Sequence, residues 1–213
     1  WVSYGDQVKM AEGVPVFVPA KEDNHFKVTV EQLEAARTDK TKVLVLNSPS
    51  NPTGMIYTRE ELLAIGNWAV EKDILILADD IYGRLVYNGH EFTPISSLSE
   101  AICKQTVVIN GVSKTYAMTG WRIGYAVGEA DIIAAMSKIA GQTTSNPSAV
   151  AQYAAVEALL GEQDTVESMR QAFEERLNTI YPLLAEVPGF EVVKPQGAFY
   201  LFPNVKKAME MKG

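Results

Sequence analysis

Cysteine and histidine are almost missing from this sequence, with one Cys and two His in 213 residues. Cys103 alone forms no internal disulfide, and with only His25 and His90 beside it a structural zinc site is not expected. So sparing a use of cysteine suits a reducing compartment, and the expected location is the cytoplasm. Neither histidine sits in a catalytic motif. His25 follows Asp23-Asn24 and His90 follows Asn88-Gly89, which are loop contexts, so a Ser-His-Asp hydrolase is a poor reading. No apolar run approaches the roughly 20 residues of a membrane span, and no signal-peptide pattern is visible. Clustered basic residues are also lacking. The net charge is -7, and Lys206-Lys207 is too short to make a backbone-binding surface, which argues against a nucleic-acid partner. There is no Gly-x-Gly-x-x-Gly fingerprint, no Walker loop and no His-Glu-x-x-His, and Gly111-Val112-Ser113-Lys114-Thr115 lacks the second glycine of a nucleophile elbow.

What is present is ordinary for a globular chain: 47% hydrophobic and 21% charged residues, enough to bury a substantial core. Short β-branched runs alternate with longer amphipathic stretches. Val16-Phe17-Val18 reads as a short strand bounded by prolines. Val30 to Arg37 reads as a helix with Thr29 as its N-cap. Lys42 to Asn47, Ile74 to Ala78 and Thr106 to Asn110 are continuous apolar runs, as expected of strands covered on both faces. Thr58-Arg59-Glu60-Glu61 opens a helix with a capping box and runs to about Lys72, and Ile123 to Gly128 is a shorter strand. Beyond Ala130 the chain is mainly helical, through 147–160 and 166–184, before returning to strand character at Phe190 to Pro195 and Ala198 to Phe202.

This alternation predicts an α/β domain with a mostly parallel sheet. The domain boundary is expected in the long helix near residue 170, with residues 171–213 beginning a second, smaller domain. The sequence opens on Trp1 and ends in what reads as an unfinished helix at Met209 to Gly213, so it reads as a fragment.

In parallel sheets ligands bind beyond the carboxyl ends of the strands. Three such ends carry polar groups: Asn47 to Gly54, Asp79 to Tyr82, and Gly111 to Lys114. A lysine after a buried strand is costly unless neutralised or paired, and is either a loop lysine or a Schiff-base lysine kept partly desolvated. Arg122, entering a strand between glycines, is suited to bidentate phosphate binding or to an ordinary ion pair. Asp79 could hold a protonated pyridine nitrogen or cap a helix. Asn-Pro-Thr-Gly at 51–54 is a strong turn signal by itself. Position alone decides none of these; their order along one set of strand ends is what points to a cofactor site.

Four segments carry a family resemblance: Asn51-Pro52-Thr53-Gly54, Asp79-Asp80-Ile81-Tyr82, Ser113-Lys114 through Arg122-Ile123-Gly124, and Gly197-Ala198-Phe199-Tyr200. Together they resemble the class I/II aminotransferases, fold-type I pyridoxal-phosphate enzymes, most nearly the prokaryotic aspartate and aromatic branch. The resemblance implies a three-layer α/β/α large domain over residues 1–170, lacking its N-terminal part. Residues 171–213 would be the start of a smaller α+β domain. It implies pyridoxal 5'-phosphate as cofactor, amino acid and 2-oxo acid as substrates, and a homodimer when full length.

On that resemblance Lys114 forms the internal aldimine and shuttles a proton. Asp79 pairs with the pyridinium nitrogen, Asn51 and Tyr82 bind the 3-oxygen, Arg122 holds the phosphate and Trp1 stacks on the ring. Tyr4 is a further candidate for the substrate side. Three departures stand out. Many relatives have a phosphate-binding serine three residues before the lysine, where this chain has Gly111. The glycine-rich phosphate loop and the C-terminal arginine for the substrate carboxylate are absent, so this chain is expected to be a poor or inactive catalyst. A carbon–sulfur β-lyase of the same fold, and a non-catalytic regulatory domain of aminotransferase type, are the competing readings.

Overall fold

The computed structural model describes residues 1–212; Gly213, the last residue of the expected C-terminal segment, lies outside the described residues. The elements follow in the order α1 (Ser3–Met10), α2 (Val30–Ala36), β1 (Val43–Asn47), α3 (Arg59–Glu71), β2 (Leu75–Asp79), α4 (Glu100–Lys104) and β3 (Thr106–Gly111). Then come β4 (Gly124–Val127), α5 (Ala130–Thr143), α6 (Ala149–Leu160), α7 (Asp164–Ala185) and α8 (Lys206–Glu210). The strands form one sheet in the order β1-β2-β3-β4. The first three are parallel and β4 runs antiparallel to β3, so the chain has the α/β class and the mostly parallel sheet that the apolar runs predict.

Helix starts follow local chemistry. Thr29 and Thr58 each accept from a backbone amide of the first turn, while Gln32 and Glu61 reach back to close capping boxes. Helix α1 has no such signal: Val2 at its N-cap makes no side-chain bond, and the sequence alone does not reveal it. Helix α7 runs unbroken past residue 170, so a division there lies within a helix, as expected.

The largest core cluster packs α2, α3 and α4 on one face of the sheet, through Leu33, Leu62, Ile65, Trp68, Ile76 and Ile102. In β2 only alternate residues, Ile76 and Ala78, are buried, and Leu75 and Leu77 on the other face are half-covered. Burial on both faces was the expectation from the apolar run. Here it holds for one face.

Three expected strands do not form. Residues 16–18 are extended but unpaired, since Pro15 and Pro19 offer no amide to a ladder. Residues 190–195 make a single antiparallel bridge, Glu191 with Asn204, and 198–202 make none, the adjacent Gly197 bridging Val86 instead. Their backbone groups bond to loops instead. The amides of Gln196 and Gly197 donate to the Gly54 carbonyl at 2.9 Å, and the Ala198 amide donates to the Leu85 carbonyl at 2.9 Å. The segment is thereby fixed to the loops that follow β1 and β2.

Candidate active site

Register brings the polar strand ends to one edge. Asn47 pairs with Asp79, Asp79 with Ile109, and Gly111 with Gly124. The groups predicted on three separate segments therefore emerge side by side.

Asp79 is held at both carboxylate oxygens. The Ile81 amide donates to Oδ1 at 3.2 Å and the Tyr4 hydroxyl donates to Oδ2 at 2.5 Å. Burial first, then the bond to Asp79, pushes the Tyr4 phenol well up, so Tyr4 remains a donor. Tyr4 thus secures Asp79. Trp1, three residues back, meets the Tyr4 ring edge-on at 5.3 Å between centroids. Trp1 is 54% exposed.

Asn51 and Tyr82 converge on Tyr200. The Asn51 Nδ2 donates to the Tyr200 hydroxyl at 3.3 Å, and the Tyr82 and Tyr200 hydroxyls lie 2.6 Å apart. Tyr82 is buried. Its phenol is raised first by desolvation and then by Tyr200, while the Asn51 amide acts in the opposite sense. Phe199 stands edge-on to Tyr82 at 5.4 Å, and the Lys114 Nζ lies over the Phe199 ring at 5.7 Å. Lys114 is half-buried at the end of β3 and makes no ion pair among the described residues.

Arg122 stands apart from this cluster. It adopts a left-handed backbone conformation, φ 55°, and donates from Nη1 to the Thr119 carbonyl at 2.9 Å. Arg122 is exposed and lines an open cleft of about 520 Å³ with Gly120, Trp121, Pro147, Ser148 and Ala151. None of Lys114, Asp79, Tyr82, Asn51 or Trp1 lines that cleft. Gly111 is explained by packing: a Cβ there would lie 2.8 Å from the Ile123 carbonyl oxygen and 3.1 Å from the Gly124 Cα. The antiparallel turn back into β4 therefore leaves no room for a serine at 111.

Asp80 points the other way, into the core, and is buried beside Leu46, Ser48, Leu62, Phe92 and Ile95. Desolvation first, and the neighbouring Asp79 charge second, push its carboxyl up to about 7. In the unfolded chain it titrates near 3.8. The native state therefore holds its proton more tightly, and the stability it lends is complete below that unfolded value. That contribution fades as pH climbs through about 7. Asp80→Asn should thus melt higher than the parent at about pH 8 and no higher at about pH 4, by calorimetry. Equal shifts at both pH values would contradict a titrating Asp80.

Sequence reasoning missed Tyr200 as a site residue, although its segment was singled out. The signal was the motif Gly197 to Tyr200 itself. What it lacked was a partner, because Asn51 is 149 residues away in the chain.

With this geometry in place, comparison with known proteins is decisive. The family model of aminotransferase class I and II matches residues 1–212. The chain belongs to this family. It is 78% identical over its whole length to the asparagine–oxo-acid transaminase of Streptococcus mutans, and 59% identical to the aspartate aminotransferase of Bacillus sp. strain YM-2. It covers 54% of each of those proteins, so the chain spans about half the length of the curated relatives it matches. Among solved structures, the aspartate aminotransferase of Rhizobium meliloti superposes with a TM-score of 0.94 at 38% identity, over 97% of this chain and 52% of that one. The aromatic aminotransferase of Pyrococcus horikoshii superposes with a TM-score of 0.92 at 39% identity, over 95% and 54%. Both place the sheet and its helices in the fold of the family.

Proposed function

We propose that this chain is the cofactor-holding part of an enzyme that transfers an amino group from aspartate or asparagine to a 2-oxo acid, with pyridoxal 5'-phosphate. The observation that carries the reading is the strand-end cluster. It offers a carboxylate fixed on both oxygens, two neutral donors that meet at Tyr200, and the Lys114 amine without a carboxylate partner among the described residues, while Arg122 stands apart from it on its own cleft. That set matches the charges of the cofactor: a ring nitrogen that gains a proton, a ring oxygen that loses one, an aldehyde and a phosphate.

Pyridoxal phosphate, when bound, supplies an electron sink that lowers the barrier to removing a proton from an amino acid's Cα. Everything else falls to side chains. Lys114 holds the cofactor through its amine and moves a proton to and from the substrate Cα. Asp79 keeps a proton on the ring nitrogen; Tyr4 and the Ile81 amide keep Asp79 aimed. Asn51 and Tyr82 donate to the ring oxygen. Arg122 binds the phosphate with its free N–H groups, and backbone geometry at Gly111 shifts that task away from position 111. Trp1 covers one ring face.

The choice of transamination over β-elimination is supported by the relatives named above, all of them transaminases. The four-carbon amino donor is supported by the two most similar of those named above, which are asparagine and aspartate enzymes. The remaining readings are proposals on the same basis. Residues 1–170 form the large domain and 171–213 begin the small one. The whole protein is a homodimer of the cytoplasm, a state suited to the exposed apolar side chains Val150, Tyr153, Val156 and Leu160 on α6. No helix among the described residues is long and apolar enough to cross a membrane.

The test is turnover by the longest protein that carries this chain, loaded with pyridoxal phosphate. Amino-group loss from asparagine or aspartate should depend on added 2-oxo acid, and cysteine conjugates should release little pyruvate. Oxo-acid-independent pyruvate release would replace transamination with β-elimination.

A further inference from the structure

We propose that Asn88 is a site of spontaneous modification, where loss of its side-chain ammonia gives aspartate or isoaspartate and loosens α7 from the turn at 87–90. The inference is independent of the cofactor reading.

The sequence holds two Asn-Gly pairs, Asn88-Gly89 and Asn110-Gly111. In each, the glycine nitrogen can attack the asparagine Cγ, because the glycine carries no side chain to obstruct it. The nitrogen gives up its proton, the Cγ–Nδ2 bond breaks and ammonia leaves, closing a five-membered imide. Water then opens the ring at either carbonyl, to aspartate or to its isomer with a longer main chain. Closure requires the asparagine Cα–C bond to turn until the nitrogen faces Cγ.

The fold separates the two pairs. Asn110 and Gly111 lie inside β3, opposite Tyr125 and Gly124 of β4. Gly111 is buried, and its amide donates to the Asn110 Oδ1 at 2.7 Å. Turning that backbone needs the strand to open. Asn88 and Gly89 instead form an exposed turn, with φ of 55° and 74°. The Gly89 amide makes no hydrogen bond among the described residues, and no atom lies within 4 Å of the place a Cβ would take. The turn is closed by the His90 amide, which donates to the Tyr87 carbonyl at 3.1 Å. Asn178 Nδ2 donates to the Asn88 Oδ1 at 3.0 Å, the oxygen that gathers negative charge as the nitrogen adds.

What Asn88 holds gives the change its consequence. Its backbone amide donates to Glu174 Oε1 and its side chain receives Asn178, both on α7. Arg170 fastens the same helix by donating to the Val86 carbonyl at 3.2 Å. A carboxylate at position 88 joins Glu167 and Glu174, both of which Arg170 already serves at 2.9 Å. Like charge then stands where a neutral amide stood. The isomer also adds a carbon to the main chain inside the turn, which breaks the closure from Tyr87 to His90.

The 213-residue chain, kept in warm, mildly alkaline buffer and digested with trypsin, is read by mass spectrometry. Peptides 85–104 and 105–114 carry one asparagine each, Asn88 and Asn110. In the folded chain Asn88 should convert at least about tenfold faster than Asn110, since a paired strand reacts only when it opens. In urea the two should react at similar rates. Gly89→Ala should slow Asn88 by about tenfold and leave Asn110 unchanged, because the added methyl hinders the attacking nitrogen. Equal rates in the folded chain overturn the proposal, as does an Asn88 that reacts in urea but not when folded. A Gly89→Ala variant that converts as fast as the parent overturns it too. The converted chain, separated by its extra negative charge, should melt below the parent. Asn88→Asp, with the charge but not the longer backbone, should fall between them. A converted chain that melts with the parent overturns the loosening of α7.

Discussion

Lys114→Ala abolishes the visible band that pyridoxal phosphate gives with the parent chain, and borohydride then fixes no label above that of surface lysines. The expectation rests on where Lys114 stands, just past β3 and over the Phe199 ring beside Tyr82, without the carboxylate partner that several other lysines have. Lys27 is committed to Glu61 at 2.6 Å, Lys72 to Glu71 at 2.8 Å and Lys104 to Glu100 at 2.7 Å. An amine held as an ion-paired cation is a poor nucleophile. Lys114 has no carboxylate partner among the described residues and approaches the face of Phe199 beside the buried Tyr82. In the parent, the labelled peptide is the one containing Lys114. In the whole protein, turnover by Lys114→Ala falls by about 10²–10⁴-fold or more, since the group that moves the proton is gone. Stability barely changes, because a half-buried side chain without a partner leaves no unpaired charge behind. Equal labelling of parent and variant would remove Lys114 from its role, and a collapsed melting curve would mean the loss is one of folding.

Gly54→Ala lowers the melting temperature by roughly 6–12 °C, the counterpart of about 3 kcal/mol in a chain of this size. Two costs combine there. Gly54 has φ 68°, a left-handed backbone that an L-residue adopts only with strain. Its Cβ would also fall 2.6 Å from the Gly197 carbonyl oxygen and 2.6 Å from the Pro195 Cβ. Neither obstacle is the tip of a flexible side chain. Gly197 is itself tightly placed, since a Cβ built on it would lie 2.8 Å from the Leu85 oxygen and 2.9 Å from the Pro49 Cβ, so the strain has little room to spread. Gly89→Ala is the control: φ is 74°, but no atom lies within 4 Å of its Cβ, so only the backbone cost of about 1 kcal/mol applies. Circular-dichroism melting of both variants decides the point. Similar shifts for the two would mean that the junction of residues 54 and 197 yields more easily than its distances imply. Because the same junction locates Tyr200, Gly54→Ala should also disturb the Asn51 amide.

Much of this was legible before any coordinates. The capping boxes at Thr29 and Thr58, the three parallel strands and the polar groups at their ends are local features. Each is written in a few consecutive residues and enforced by short-range geometry. Residues 190–202 show where local reading stops. Their β-rich composition predicts strands, yet their amides are taken by Gly54 and Leu85, and competition from distant carbonyls is invisible to a window of sequence. Helix α1 failed in the opposite way, having no cap to announce it.

The sequence by itself determined the α/β class, the order of strand ends and the candidacy of Lys114, Asp79, Asn51, Tyr82 and Arg122, since side-chain chemistry at a strand end is a local property, whereas Trp1 entered through the family resemblance alone. Tertiary structure alone decided that Tyr4 secures Asp79, that Tyr200 joins Asn51 to Tyr82, and that position 111 must be glycine. Each of these depends on two backbones brought within a few ångströms across 75, 118 or 149 residues of chain, or across the turn from β3 to β4. Such approaches are set by the packing of the whole sheet and its loops, and no run of neighbouring residues encodes them.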